Sequence, residues 1–257
     1  MSMPDSEGDL TRDAFLGGRL RVLQPVRGYR AGIDPVILAS VIDAGPGQKV
    51  LDLGCGVGVA SLSLAARIPG LGITGLELQP VCAALARRNA AENRMDIEVI
   101  EGDIQSMPLE LRQRRFDHVI ANPPYFDRSR GTCSSTPGRE TALGGTISLV
   151  EWIDSAVRRL LPKGLLHVIQ SAERLPELLS ACDGRVGDMR VLPLLPRRKR
   201  SARLVILRAR KGARGSFRLL APVVLHSGDR HSSASDGYSE EVEAVLRGGA
   251  GLEVDWS

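Results

Sequence analysis

A chain of 257 residues, 43% of them hydrophobic and 4% aromatic, can bury the core of one large domain or of a domain with an arm. No apolar run approaches the ~20 residues of a membrane-spanning helix, no charged-then-apolar leader opens the sequence, and the four cysteines and four histidines are too scattered for a zinc site or disulfide framework, so a cytoplasmic protein without a metal is expected. The net charge of +4 is unevenly placed: residues 188–214 hold ten basic side chains against one acid, Asp188, which makes this segment a candidate phosphate-binding face and leaves the remainder acidic.

In chain order, residues 1–18 read as a disordered tail, since the first thirteen are polar and charged with no apolar period. Alternation through 17–25 predicts a short exposed strand. Asp34 followed by Pro35 predicts a helix N-cap and first turn, with apolar helix to Ile42, so 19–46 forms a strand and helix arm. From 47 to 211 apolar strand-length runs alternate with helical segments, the pattern of a parallel sheet with right-handed crossovers. Strands are expected at 49–53, 72–77, 97–101, 117–121 and 165–170, and helices at 59–67, 80–92, 105–111, 148–161 and 172–182. Pro162-Lys163-Gly164 supplies a stop and turn, and 189–194 with 204–209 an antiparallel closing pair. The loop 126–145 is long and aperiodic and directly follows Tyr125, so a mobile lid is expected there. Residues 212–257 form a C-terminal extension packed on the domain or trailing from it, with a short amphipathic helix near 239–247.

Asp52-Leu53-Gly54-Cys55-Gly56-Val57-Gly58 ends the first of these strands. A dinucleotide fingerprint would place a glycine where Val59 stands. An acid two residues before the first glycine would repel a pyrophosphate, whereas it favours a ligand that is cationic at that end. Gly54, Gly56, Gly58 and Asp52 therefore point to S-adenosylmethionine. Glu77, closing the second strand, can accept from both ribose hydroxyls. Asp103 after the third strand can accept from the adenine amine, with Ile104 against the ring. All three acids stand at carboxyl ends of parallel strands, where open α/β sheets bind ligands.

Asn122-Pro123-Pro124-Tyr125 follows the fourth strand. The lone pair of an exocyclic or amide nitrogen is delocalised, so it is a poor nucleophile. The Asn122 side-chain oxygen and the Pro123 carbonyl can draw the nitrogen toward tetrahedral geometry, the two prolines fix φ in advance, and Tyr125 can stack on the planar substrate.

These motifs together resemble class I methyltransferases acting on amino groups. With Gly28-Tyr29-Arg30-Ala31-Gly32-Ile33-Asp34-Pro35-Val36-Ile37-Leu38, Phe126 and Arg139-Glu140, the stretch 19–210 resembles the bacterial tRNA (adenine-N6) methyltransferases that modify adenine 37 of a valine tRNA. The resemblance implies an α/β Rossmann-like class I methyltransferase fold, a seven-stranded mostly parallel sheet with helices on both faces. It implies methylation of adenine N6 in tRNA, with rRNA guanine N2 or protein glutamine N5 as alternatives that share the cofactor and Asn-Pro-Pro-Tyr motifs. A non-catalytic RNA-binding subunit that only holds the cofactor is a further alternative, against which the intact Asn122 to Tyr125 stretch argues. The resemblance also implies that Asp34 and its loop close over the methionine end of the cofactor. Arg197, Arg198, Lys199 and Arg200, with Arg30 from the arm, are the expected RNA contacts. Unstacking a base from a duplex costs a few kcal/mol and stacking on an aromatic returns about 1–3 kcal/mol, so one tyrosine suits a single-stranded loop.

Overall fold

The computed structural model describes residues 9–28, 30–125, 147–228 and 237–256. The expected lid at 126–145, the Arg139-Glu140 pair and Tyr29 lie outside the described residues.

Strands β1 (Leu10–Phe15) and β2 (Leu20–Pro25) form an antiparallel hairpin. This corrects the expectation of a disordered tail through residue 18. The polar residues of β1 are partnered rather than solvated: Asp13 Oδ2 accepts from Gln24 Nε2 at 2.7 Å and from Arg30 at 2.7 Å, so a segment without an apolar period still folds. Gly17 makes the turn at φ +65°, where a Cβ would lie 2.6 Å from the Arg247 carbonyl oxygen.

Helix α1 (Asp34–Ser40) has Ile33 and not Asp34 at its N-cap. The Asp34 carboxylate does not cap; it accepts from the Tyr125 hydroxyl at 2.8 Å, a long-range partner that outcompetes the local one. The expected alternation then follows: β3 (Lys49–Leu53), α2 (Val59–Arg67), β4 (Gly72–Glu77), α3 (Pro80–Glu92) and β5 (Ile97–Glu101). Helix α4 (Leu109–Gln113) starts later than expected because Pro108 disfavours helix at Met107 and itself becomes the cap. Next come β6 (Phe116–Ala121), α5 (Leu149–Arg159) opened by a Ser148/Glu151 capping box, and β7 (Leu160–Ser171). Pro162 to Gly164 is not a stop before β7 but a bulge inside it, with Lys163 at φ +66°. Between the pairs Phe116↔Leu160 and His118↔Leu165, β6 advances two residues and β7 five. A 3-10 turn (Ala172–Arg174), α6 (Leu175–Cys182), β8 (Val186–Leu195) and β9 (Leu204–Lys211) complete the α/β unit.

The sheet order β8-β9-β7-β6-β3-β4-β5 contains the seven strands expected, all parallel except β9, which is antiparallel to β7 and β8. Two short strands, β10 (Arg218–Leu219) and β11 (Val223–Val224), add to the outer edge of β8 and make nine. Helix α7 (Glu240–Gly248) follows, and Val242, Val245 and Leu252 join α1 and α2 in the core on one face of the sheet. The C-terminal segment thus covers a sheet edge that would otherwise stay open. Helices α4, α5 and α6 bury the opposite face. Among the described residues no helix is long and apolar enough to cross a membrane.

Two asparagines one turn apart, Asn89 on α3 and Asn93 at its C-cap, close the free edge of β2. Asn89, fully buried, accepts from Leu23 N–H at 2.8 Å and donates to the Leu23 carbonyl at 3.1 Å and to the Val57 carbonyl at 3.0 Å. Asn93 repeats this at Arg21, with bonds of 3.0 and 2.8 Å. The hairpin is thereby tied to the glycine loop.

One polar row crosses the α1 face. Gln48 Oε1 lies 3.3 Å from His118 Nε2, and His118 Nδ1 lies 3.4 Å from His167 Nε2. Because a Gln oxygen can only accept, the row assigns Nε2–H to both rings, leaving His167 Nδ1 buried with no hydrogen-bond partner among the described residues. Burial, more than the neighbouring charges, pushes His118 down to about 4 and holds His167 well below its ordinary value. The unfolded chain takes up protons near pH 6.5 and the folded one resists, so this contribution is complete above pH 6.5 and lost as pH falls toward 4. For His118 it reaches about 3 kcal/mol. Asp34, Asp52 and Glu77 are shifted upward and act in the opposite direction. The histidine effect is therefore read by difference: the stability gap between wild type and His118→Gln, from denaturant melts, is expected to narrow from pH 7 to pH 4.5. A constant gap contradicts the assignment.

Candidate active site at the carboxyl edge of the sheet

Leu53 of β3 pairs with Ala121 of β6, so the glycine loop and Asn122 leave the sheet from adjacent strands, about 5 Å apart. Gly54 sits at φ +73°, and a Cβ there would lie 2.5 Å from the Trp152 ring of α5. Gly54 is thus required by packing. Gly56, at φ +57°, faces open space: a Cβ would meet nothing within 4 Å, so a ligand can approach the backbone there. Gly58, at φ +90°, caps α2, its carbonyl accepting from Leu62 N–H at 2.9 Å.

Glu77 is buried and fixes this loop. Its Oε2 accepts from Gly56 N–H and its Oε1 from Gln79 N–H, each at 2.8 Å. Burial raises its pKa, against the pull of these backbone donors. Asp52, 3% exposed, accepts from the Ser61 hydroxyl at 2.7 Å. Burial pushes it up to about 6, opposed by Ser61 and aided by the charge of Glu77. No cation from the chain offsets either acid among the described residues. Two buried carboxylates beside an open glycine backbone favour a cationic, hydroxyl-bearing ligand.

Asp103 folds its Oδ1 onto Gln105 N–H at 2.9 Å and stays half-exposed at the end of β5. Ile104 is only 8% exposed and belongs to the core of the α5 face, so little of it is left for a ring to rest on.

Asn122 is half-buried and Pro123 buried. Gln170 Nε2 of β7 lies 3.5 Å from the Pro123 carbonyl and 3.4 Å from that of Pro124, and Arg174 Nη1 donates to the Pro124 carbonyl at 3.0 Å. The Tyr125 ring is held at its hydroxyl by Asp34, whose pKa burial raises. Sequence reasoning missed Trp152, Ser61, Gln170 and Arg174. Gln170 had the signal that identified Glu77, a polar residue ending an apolar strand at the carboxyl edge.

The basic segment divides in two. The turn between β8 and β9 lies on the same edge as Asn122, since β8 is parallel to the central strands, and Arg198, Lys199 and Arg200 are exposed on it. Arg197 is corrected: it is 7% exposed and donates to the Ser227 carbonyl at 2.8 Å, because the C-terminal segment folds over it. Arg190 pairs with Asp188 at 2.8 Å, Arg208 lies 5.1 Å from the Trp256 ring centre, and Lys211 donates to the Val157 and Leu160 carbonyls at the end of α5. These four support the fold rather than a ligand. Arg30 pairs with Asp13 at 2.7 Å and remains partly exposed.

Residues 32–187 match the family described as methyltransferase small domain. The chain is 31% identical over 198 residues to a tRNA1(Val) (adenine(37)-N6)-methyltransferase of Porphyromonas gingivalis, covering 70% of this chain and 76% of that protein. A crystal structure of a predicted O-methyltransferase from Agrobacterium tumefaciens superposes with a TM-score of 0.69 at 26% identity, over 86% of this chain and 99% of that one. The Thermus thermophilus 16S rRNA N2 G1207 methyltransferase, crystallised with AdoMet and guanosine, shares the fold at a TM-score of 0.55 and 18% identity, over 79% of this chain and 50% of its own.

Proposed function

Because the chain belongs to the methyltransferase small domain family, with the class I methyltransferase fold, we propose that it transfers a methyl group from S-adenosylmethionine to an exocyclic amino group in RNA, adenine N6 of a tRNA. The observation that carries the reading is the adjacency of Asn122-Pro123-Pro124-Tyr125 to the glycine loop on paired strands β6 and β3. The relative from Porphyromonas gingivalis supports the choice of a tRNA adenine.

The residues present fit this cofactor. Gly56 gives backbone access, Glu77 keeps acceptor lone pairs for ribose hydroxyls, Asp52 and Glu77 favour the cationic end, and the half-exposed Asp103 keeps acceptor lone pairs for the adenine amine. When bound, S-adenosylmethionine supplies an electrophilic methyl on a sulfonium. The chain's part is to hold the amine. Asn122 Oδ1 and the Pro123 carbonyl accept its two hydrogens, which gathers the lone pair on nitrogen and aims it. A carbonyl oxygen has two lone pairs, so Pro123 can serve the amine while Gln170 holds the other side. Tyr125, tethered by Asp34, offers a ring face to the base. Once methylated, the nitrogen carries the positive charge and its extra proton passes to solvent water, so no tuned general base is needed.

The test is tritiated-methyl transfer to bulk tRNA, rRNA and protein, followed by nucleoside analysis. N6-methyladenosine in the tRNA fraction is expected; label confined to protein or to guanine overturns the assignment. The exposed turn gives a second expectation. RNA affinity should fall with salt at a slope of about −0.7 per phosphate contact, and Ala at Arg198, Lys199 and Arg200 together should make the slope shallower by about 2. Arg197→Ala should instead lower the melting temperature with the slope unchanged. An unchanged slope in the triple variant rejects the turn as a phosphate contact.

A further inference from the structure

The two prolines that follow β6, separated from its end by Asn122, create a backbone problem that the rest of the chain must solve. They contribute no N–H, so hydrogen bonding to the neighbouring strand stops, while the carbonyls of Pro123 and Pro124 still point toward β7 and need donors. Gln170, fully buried near the end of β7, reaches both, and its own Oε1 accepts from Ser171 N–H at 2.7 Å, which fixes which end of the amide faces the prolines. Arg174 supplies the stronger donor. Its Nε and Nη2 form a two-point fork with Glu177, at 2.9 and 2.7 Å, which fixes the guanidinium plane, and its Nη1 donates to Pro124 at 3.0 Å. The Arg174 side chain is only 15% exposed, so this contact is shielded from solvent.

We propose that Gln170 and Arg174, the latter oriented by Glu177, are positioning residues that set the direction of the Pro123 and Pro124 carbonyls, and through them Asn122 and Tyr125, for the amine acceptor. This rests on the methyl-transfer reading. A rotated Pro123 carbonyl would still leave the cofactor loop intact, because that loop is held independently by Glu77 and the Leu76 carbonyl. The loss therefore falls on kcat, and neither on cofactor affinity nor on RNA affinity.

The experiment is methyl transfer to bulk tRNA by wild type, Arg174→Ala, Arg174→Lys and Glu177→Gln, with KM for tRNA, Kd for S-adenosylmethionine and melting temperature measured on each. Misplacement of a reacting group by about 1 Å costs on the order of a hundredfold. Arg174→Ala is expected to lose roughly ten- to a hundredfold in kcat with KM and Kd within about threefold. Arg174→Lys should lose nearly as much, since an ammonium has no fixed fork, Glu177→Gln should lose less, and millimolar guanidinium should restore part of the Arg174→Ala rate. Should Arg174→Ala fail to fold, the Lys and Gln variants, which keep the side-chain stems, carry the same comparison. Wild-type kcat in Arg174→Lys overturns the proposal, as does a loss confined to KM that grows with salt, which would make Arg174 a phosphate contact. A wild-type protein that labels no RNA overturns the methyl-transfer reading, and this proposal with it.

Discussion

Asn122→Ala is expected to lower methyl transfer by roughly a hundred- to a thousandfold, the range seen when one fixed polar partner of a transition state is removed, while S-adenosylmethionine affinity changes by less than about threefold. The separation follows from the connectivity. The glycine loop is anchored by Leu76 and Glu77 of β4, whereas Asn122 begins the segment after β6, which is anchored from β7 and the turn following it. In the proposed mechanism the side chain is needed when the amine nitrogen changes from planar to tetrahedral, so the loss should appear in kcat. Asn122→Asp, which keeps an acceptor oxygen in the same place, should retain more rate than Ala. Calorimetric titration with the cofactor and single-turnover labelling of tRNA check both halves. If cofactor affinity collapses in parallel with the rate, Asn122 is a structural residue and the catalytic assignment fails.

How far the sequence disclosed this arrangement depends on the range of the interaction that fixes each part. β3, β4 and β5 begin and end where expected because their apolar runs are bounded by glycine, proline or charge, and α2 and α3 fill the intervals between them. Burial from both sides dictates such a run locally. β1 was illegible because its stability comes from Asp13 meeting Gln24 and Arg30, partners eleven or more positions away. Arg197 looked like its three basic neighbours, and only the return of the chain at Ser227 turns it inward. At the candidate site, the acids Asp52, Glu77 and Asp103 stand out in the sequence because they lie at or just beyond strand ends on the carboxyl edge, and the structure places them at that edge. Their present partners do not: Glu77 reaches back to Gly56 and Asp52 to Ser61. Gly54 illustrates the same division, since its motif suggested ligand access while a Cβ at Gly54 would meet the Trp152 ring and one at Gly56 would meet nothing within 4 Å.

Glu77→Ala should be the most damaging change at the cofactor end of the site, for two separable reasons. It leaves the part-buried N–H groups of Gly56 and Gln79 without their carboxylate acceptor, at a combined cost on the order of 1–3 kcal/mol, so the melting temperature should fall by several degrees at about 2–4 °C per kcal/mol for a chain of this size. It also removes the acceptors proposed for the ribose, and loss of two such bonds corresponds to a hundredfold or greater rise in Kd. Glu77→Gln separates the two effects. An amide can still accept from one N–H but presents its NH2 to the other, so stability should recover part of the way while affinity stays at least tenfold down. The pH dependence gives an independent check. Burial holds Glu77 above its ordinary range and Asp52 at about 6, and a cationic ligand favours the ionised form of each. Affinity should therefore weaken as pH falls from 7.5 to 5, with proton uptake by the free protein opposing binding, and Asp52→Asn should flatten that decline. A Kd independent of pH in wild type would show that the positive end of the ligand lies elsewhere than beside these two acids, and a Glu77→Ala protein that binds the cofactor normally would show that the ribose does not rest on Glu77.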